Sequence, residues 1–350
     1  MTLRERALQA MSGEDATLRG GLLRSALSAA VPGYALGNAL RSAGFSLGIK
    51  RTHPLGRPTI SIGNLTTGGT GKTPMVGYIV NRLIEQGHRP CILLRGYRGG
   101  DEAIEHERLL GGAARVEPNP DRVAAARLAL SEDPSVTCFV LDDGFQHRRA
   151  QRDLDLVLVD ATNPWGHGHL LPRGLMREPR SALRRADAVV VTRSDQAPPE
   201  GLAALDEQVT LITGKPPIAH AEHTWSALKD ARDRLHDLSL ITDQSVMGVV
   251  GIGNPAAFEA TLNQHAGQVL HCEAQPDHHY YTRKQLLKLL DLATTAGAEA
   301  VVTTEKDWVK WSGLLEGEKL HLPIYRAVLA MRFRDGSDEL AARLRLAGDT

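Results

Sequence analysis

The sequence predicts an α/β protein: a mostly parallel sheet with helices on both faces, joined to a smaller α/β domain by a two-strand hinge. Three observations predict it. Short apolar runs alternate with helical segments from residue 58 onward. A glycine-rich loop lies between the first such run and its helix. The composition is close to the globular average, with 42% apolar and 23% charged residues among 350. Lys plus Arg and Asp plus Glu are 41 each, so there is no basic surplus of the kind general nucleic-acid binding needs. Cys91, Cys138 and Cys272 form no CxxC pair, which excludes a disulfide framework and a cysteine metal site. No apolar run reaches the roughly 18 residues that span a bilayer. The first residues, MTLRERALQAMSGEDATL, have no apolar signal core.

Taken in order, residues 20–49 are apolar, small and lightly basic, with no acid between 16 and 84. Leu22, Leu23, Ala26, Leu27 and Ala30 recur at helical spacing. Pro32 and Gly33 break that pattern, and Tyr34, Leu36, Ala39 and Leu40 resume it. The reading is two helices over 1–56. They either pack on a core or lie on an anionic membrane surface through Arg19, Arg24, Arg41, Lys50 and Arg51. PTISIGN is a strand, PMVGYIVNRLIEQG a helix closed by Gly87, and PCILLRG a strand. DRVAAARLAL is a helix, and VTCFVLDD, DLDLVLVD and ADAVVVTR are strands. Continuous apolar strands separated by helices mean a parallel sheet buried on both faces. Residues 57–216 therefore form the main domain. Segments 217–225 and 323–333 read as the hinge strands, 226–322 as the small α/β domain and 334–350 as a C-terminal helix.

The strongest chemical signal is the run from Ser61 to Pro74, SIGNLTTGGTGKTP. It follows a strand and opens a helix, the setting of a phosphate-binding P-loop. Thr66, Thr67, Gly68, Gly69, Thr70, Gly71, Lys72 and Thr73 are the expected nucleotide contacts. Glycines let backbone N–H groups turn inward, and the helix N-terminus adds partial positive charge. Lys72 reaches the β- and γ-phosphates, and the Thr73 hydroxyl holds Mg²⁺. The strict GxxxxGK[ST] pattern fails at its first position, Thr66. The fold is thus P-loop NTPase-like. Asp142 and Asp143 end an apolar strand about 70 residues on, where a Walker-B acid holds Mg²⁺. GHGH (166–169) lacks a third ligand and reads as a loop.

These loops go beyond a generic P-loop. GNLTTGGTGKTP (63–74), LRGYRG (94–99), LDDGFQHRRAQRDLDLVLVD (141–160), LLPRGLMREP (170–179), GIGNPAAF (251–258), DHHYYT (277–282) and VVTTEKDWVK (301–310) occur together and in order. In them the chain resembles the tetraacyldisaccharide 4′-kinase family of lipid A biosynthesis, from about residue 20 to 335. The resemblance implies ATP- and Mg²⁺-dependent phosphorylation of the 4′-hydroxyl of a tetraacylated disaccharide 1-phosphate, giving lipid IVA. It implies a lipid A disaccharide precursor as partner and no nucleic acid. It also implies a peripheral place on the cytoplasmic face of the bacterial inner membrane.

By the same resemblance Asp101 is the base for the acceptor hydroxyl, tuned by His278 or His279. Ala103 stands where the family has proline. Asp101 falls in the first domain and His278 in the second, so the hinge must close to join them. Glu178 matches an acid near the metal. Arg177, Gln146, His147 and Arg148 are expected to meet substrate or phosphate. Among rivals, a GTPase would want NKxD, of which Thr192-Arg193-Ser194-Asp195 is a degenerate echo. A partition-type ATPase would carry a lysine where Thr67 stands. A scaffold with structural nucleotide would not need Asp101, Asp142 and Glu178 together.

Overall fold

The computed structural model describes residues 9, 11–13, 17–96, 101–276 and 279–348, with side chains at all of these but 101, 102 and 346–348. The chain forms two compact units. The first takes Met1–Arg95, Ala114–Glu222 and Phe333–Thr350, the second Gly96–Ala113 and His223–Arg332.

In the first unit the strands are β1 (Thr59–Asn64), β2 (Pro90–Leu94), β3 (Arg115–Pro118), β4 (Cys138–Asp142), β5 (Leu154–Asp160), β6 (Ala188–Thr192) and β7 (Ala219–Lys229), which runs on into the second. They lie in the order β7-β6-β5-β1-β4-β2-β3. Every neighbouring pair is parallel. All residues of β1, β2, β4, β5 and β6 are buried, which is why β2, β4, β5 and β6 read as apolar runs rather than alternations, while β1 buries Thr59, Ser61 and Asn64 beside its isoleucines. Val157, Val159, Val189 and Val191 pack with Leu205 and Val209 of α5 (Pro199–Thr213). Cys91, Leu93, Phe139 and Leu141 pack with Val123, Ala125 and Ala129 of α4 (Arg122–Glu132). Each buried Val, Leu or Phe contributes about 1.5–3 kcal/mol. The helix after the glycine loop, α2 (Lys72–Glu85), buries Met75, Val76, Ile79, Val80 and Leu83. The unit closes with α9 (Ser337–Gly348).

The second unit has strands β8 (Leu235–His236), β9 (Ser245–Val250), β10 (Gln268–Ala274), β11 (Ala300–Thr304) and β12 (Ile324–Asp335), the last returning to the first unit. Its parallel order is β10-β9-β11-β12. Its helices are α3 (Asp101–Leu110), α6 (Pro255–His265), α7 (Arg283–Thr295) and α8 (Glu305–Trp311). A capping box of Thr282 and Gln285 starts α7. Met247, Val249, Tyr281, Leu286, Trp308, Trp311 and Ile324 share one core.

Two expectations change. Residues 18–46 are one helix, α1 (Leu18–Ser46), not two, and Pro32 lies inside it. Pro32 is exposed, so the Ser28 carbonyl that loses its partner faces water and the break is tolerated. The 57–216 segment is also interrupted. Gly96–Ala113, with α3, belongs to the second unit, where Arg108 of α3 lies 3.8 Å from Glu305 of α8. The Lys229 ammonium donates to the Arg108 carbonyl at 2.7 Å. Among the described residues no helix is long and apolar enough to cross a membrane.

Candidate active site

The P-loop leaves β1 at its C-terminal end, beside β4 and β5. Gly68 and Gly71 have φ of +116° and +88°, which L side chains rarely adopt, so glycine is required at both. Gly71 is the residue before α2. A Cβ on Gly63 would come within 2.5 Å of the Phe145 Cβ, so glycine there lets β1 meet the loop after β4.

Asn64, the last residue of β1, is the node of the site. It is fully buried. Its Oδ1 accepts from the Lys72 ammonium at 3.3 Å and from the Arg177 guanidinium. Its Nδ2 donates to the Thr70 hydroxyl at 2.8 Å. Gln146 Nε2 donates to its carbonyl at 2.9 Å. Sequence reasoning quoted Asn64 but gave it no role. The signal available was a buried-strand pattern ending on an amide.

Asp143 faces two cations. Arg177 grips its carboxylate with both terminal nitrogens, at 2.7 and 2.8 Å, and Lys72 Nζ is 3.6 Å away. Burial pushes this carboxyl up, but the Arg177 hydrogen bonds and the Lys72 and Arg177 charges outweigh it. They hold Asp143 well below the usual carboxylate range. Asp143 sits at φ 54°. Asp142 is buried at the end of β4, and its carbonyl accepts from buried Arg122 at 3.3 Å. Arg122 was not among the expected site residues.

The loop itself is braced from two sides. Thr67 N–H donates to the Leu175 carbonyl at 2.8 Å, and Thr66 bridges to Met176. The first two expected nucleotide contacts therefore pair with the 170–177 segment, which explains why position 66 needs no glycine. From β6, the Thr192 hydroxyl donates to the Thr70 carbonyl at 3.0 Å, and Arg193 donates to the Gly69 carbonyl while pairing with Asp160. The TRSD echo of a base-reading motif thus supports the phosphate loop.

Other expected residues point elsewhere. Glu178 is paired with both terminal nitrogens of Arg185, at 2.9 and 3.2 Å. Arg185 in turn lies over the Phe145 ring. Gln146 props Asn64 rather than facing outward. Arg148 reaches back to the Ser42 hydroxyl at 3.1 Å and lies over Phe45 of α1. Burial, then the Arg122 charge, lowers the His147 imidazole to about 4, so it is neutral at pH 7. Asp101 begins α3, but its side chain, and all of Asp277 and His278, lie outside the described residues.

One face of α1 closes on this site. Tyr34 and Asn38 donate to the Arg177 carbonyl at 3.1 and 2.7 Å, and Arg41 to the Gln146 carbonyl at 2.7 Å.

The arrangement pairs a lysine and an arginine with tandem carboxylates at a glycine loop. It can cradle a polyphosphate, neutralise charge that develops on it, and offer oxygen ligands to a hard cation. Residues 23–347 match the family described as LpxK: tetraacyldisaccharide-1-P 4′-kinase. A tetraacyldisaccharide 4′-kinase of Anaeromyxobacter sp. (strain K) is 39% identical over 318 residues, 85% of this chain and 83% of that one. Its counterpart in Geobacter sulfurreducens is 35% identical over 345 residues, 92% of this chain and 93% of that one. The crystal structure of apo-form LpxK from Aquifex aeolicus in complex with ATP is similar at a TM-score of 0.72 and 28% identity. It covers 93% of this chain and 99% of that one.

Proposed function

The chain belongs to the tetraacyldisaccharide-1-P 4′-kinase family, and from that premise we propose how its own residues carry the γ-phosphoryl group of ATP to the 4′-hydroxyl of tetraacyldisaccharide 1-phosphate. The product is lipid IVA, in lipid A biosynthesis. The observation that carries this reading is the Asn64–Lys72–Asp143–Arg177 cluster at the mouth of the glycine loop.

Phosphoryl transfer asks for positioning and charge neutralisation more than for covalent chemistry. Asn64 aims Lys72 along the loop, where its ammonium meets the β- and γ-phosphates. Arg177 is a second cation at the same point. Gly68 to Thr73 supply the cradle, with Thr66 and Thr67 anchoring it to the 170–177 segment. Thr73, Asp142 and Asp143 would hold Mg²⁺, with Glu178, which pairs with Arg185, as a further oxygen donor nearby in sequence. These donors are all hard oxygens. Among the described residues no three His, Cys, Asp or Glu side chains form a metal cage by themselves. That suits Mg²⁺, which is commonly bound by one or two carboxylates together with substrate phosphates. A bound Mg²⁺ would supply positive charge to offset that of the phosphates. Asp101 accepts the proton of the acceptor hydroxyl, and His278 or His279 tunes it. Asp101 and His279 fall in one compact unit, so a pairing of these two does not call for movement between units.

The acceptor is a lipid, and α1 supports a peripheral place on the cytoplasmic face of the inner membrane. Leu18, Leu22, Leu36 and Leu40 are all exposed. At about 100° per residue they fall within about 40° of one another, on one stripe. Tyr34, Asn38, Arg41 and Phe45 lie roughly opposite and contact the site loops. An apolar stripe flanked by Arg19 and Arg24 fits the interface of an anionic bilayer.

Product analysis tests the reading. Purified protein incubated with ATP, Mg²⁺ and tetraacyldisaccharide 1-phosphate should yield a second phosphomonoester at the 4′ position. ATP hydrolysis with no phosphate on the lipid would contradict it.

A further inference from the structure

Three loops of the second unit converge on one fully buried acid, Asp307. It is the third residue of α8. The N-cap Thr304 accepts its N–H at 3.1 Å, and the Thr304 hydroxyl donates to its Oδ2 at 2.7 Å. Helix capping accounts for that much. Oδ2 also accepts the N–H of Gly251, from the loop after β9, at 2.9 Å. Oδ1 faces the Tyr281 hydroxyl at 3.4 Å, and Lys310 Nζ at 4.0 Å. The Tyr281 ring stands edge-on to His279, centroids 4.7 Å apart, and edge-on to Trp311 at 5.4 Å. Burial, then the Asp307 charge, pushes the Tyr281 phenol far above its ordinary value, so it stays a neutral donor. Gly251 makes the convergence possible. A Cβ there would lie 2.9 Å from Asp307 Oδ1, 3.1 Å from the Tyr281 hydroxyl and 3.5 Å from the His279 Cβ.

A helix cap needs neither full burial nor partners on two other loops, and burying a carboxylate costs free energy unless its oxygens are bonded. We propose that Asp307 is a positioning residue for phosphoryl transfer: it fixes Tyr281, and through the ring contact it holds the His279 imidazole in one geometry. Asp307 touches neither nucleotide nor acceptor. The proposal rests on the reading that His278 or His279 tunes Asp101.

Two variants test it. Asp307→Asn keeps the size and removes the charge and one acceptor oxygen. Tyr281→Phe keeps the ring contacts and removes only the hydroxyl. In folded Asp307→Asn, kcat should fall about ten- to a hundredfold, because misplaced catalytic groups cost that much. ATP affinity should change by less than about twofold, since the glycine loop belongs to the other unit. Tyr281→Phe should lower kcat by a smaller factor, and the double variant should be no worse than Asp307→Asn, as expected of groups acting as one. A merely structural role predicts a lower melting temperature with wild-type kcat per folded molecule, and that result overturns the proposal. So does a multiplicative loss in the double variant, or, where Asp307→Asn does not fold, wild-type kcat in Tyr281→Phe. If the wild-type protein transfers no phosphate to the lipid, the functional reading fails and the proposal falls with it. An active wild type with unaffected variants overturns the proposal alone.

Discussion

Asp143 is the shared counter-ion of Lys72 and Arg177, and that makes its contribution separable from theirs. In Asp143→Asn two part-buried cations lose their neutralising charge, which should destabilise the protein by about 1–3 kcal/mol after allowance for solvent. The phosphates of ATP restore negative charge at the same point. ATP without Mg²⁺ should therefore raise the melting temperature of Asp143→Asn by more than it raises that of the wild type, while turnover falls. An equal rise would contradict the counter-ion role. The pH dependence follows in sign. A carboxyl held below its ordinary value contributes stability above that value and loses it as pH falls toward the lowered one. Wild-type stability should thus decline below about pH 4, and Asp143→Asn should decline less. At this scale the chemistry of the site was legible and its directions were not. Lys72, Asp143 and Arg177 could be named from motif context. That Gln146 props Asn64 and Arg148 turns to Ser42 depends on where β1 and α1 lie beside the loop after β4, over sequence separations of 82 and 106 residues.

Elements were legible where burial on both faces forces a continuous apolar run. β4, β5 and β6 are such cases. β3 and β10 were missed because their residues are mostly half-exposed and carry Arg115, Glu117, His271 and Glu273. Helix α3 was missed because it is short and charged. Helix α1 was read as two because proline is normally a break, and only exposure at Pro32 relieves it. The helix also yields a prediction. Replacing Leu18, Leu22, Leu36 and Leu40 by Ser removes the exposed stripe and leaves the Tyr34, Asn38 and Arg41 contacts in place. Flotation with anionic liposomes should drop and the apparent KM for micellar lipid should rise, with ATP binding unchanged. Undiminished flotation would show that the stripe is not the membrane contact.

For the whole molecule, the α/β class could be read from the alternation of elements, and its P-loop NTPase-like character from the glycine loop between strand and helix. The departure of Gly96–Ala113 into the second unit could not, because nothing local marks a return across units. It bears on the chemistry by putting Asp101 and His279 in one unit. Asp101→Ala and His278→Ala should each lower kcat strongly with little effect on ATP binding. The double variant should be little worse than the more damaged single one. Multiplicative losses would mean that the two act independently.

The central claim is that the glycine-loop cluster drives phosphoryl transfer to a lipid. Its most direct test is transfer of labelled γ-phosphate from ATP to tetraacyldisaccharide 1-phosphate in mixed micelles, with the wild type and a folded Lys72→Ala variant side by side. Lys72 lies between Asn64 and Asp143, where its charge meets the transferring group. Its loss should lower the rate by roughly a hundred- to a thousandfold, the usual cost of removing a preorganised stabiliser of transition-state charge. Labelled lipid forming with the wild type and not with Lys72→Ala is the predicted result. Labelled lipid forming at near-equal rates with both proteins, or with neither, would contradict the account.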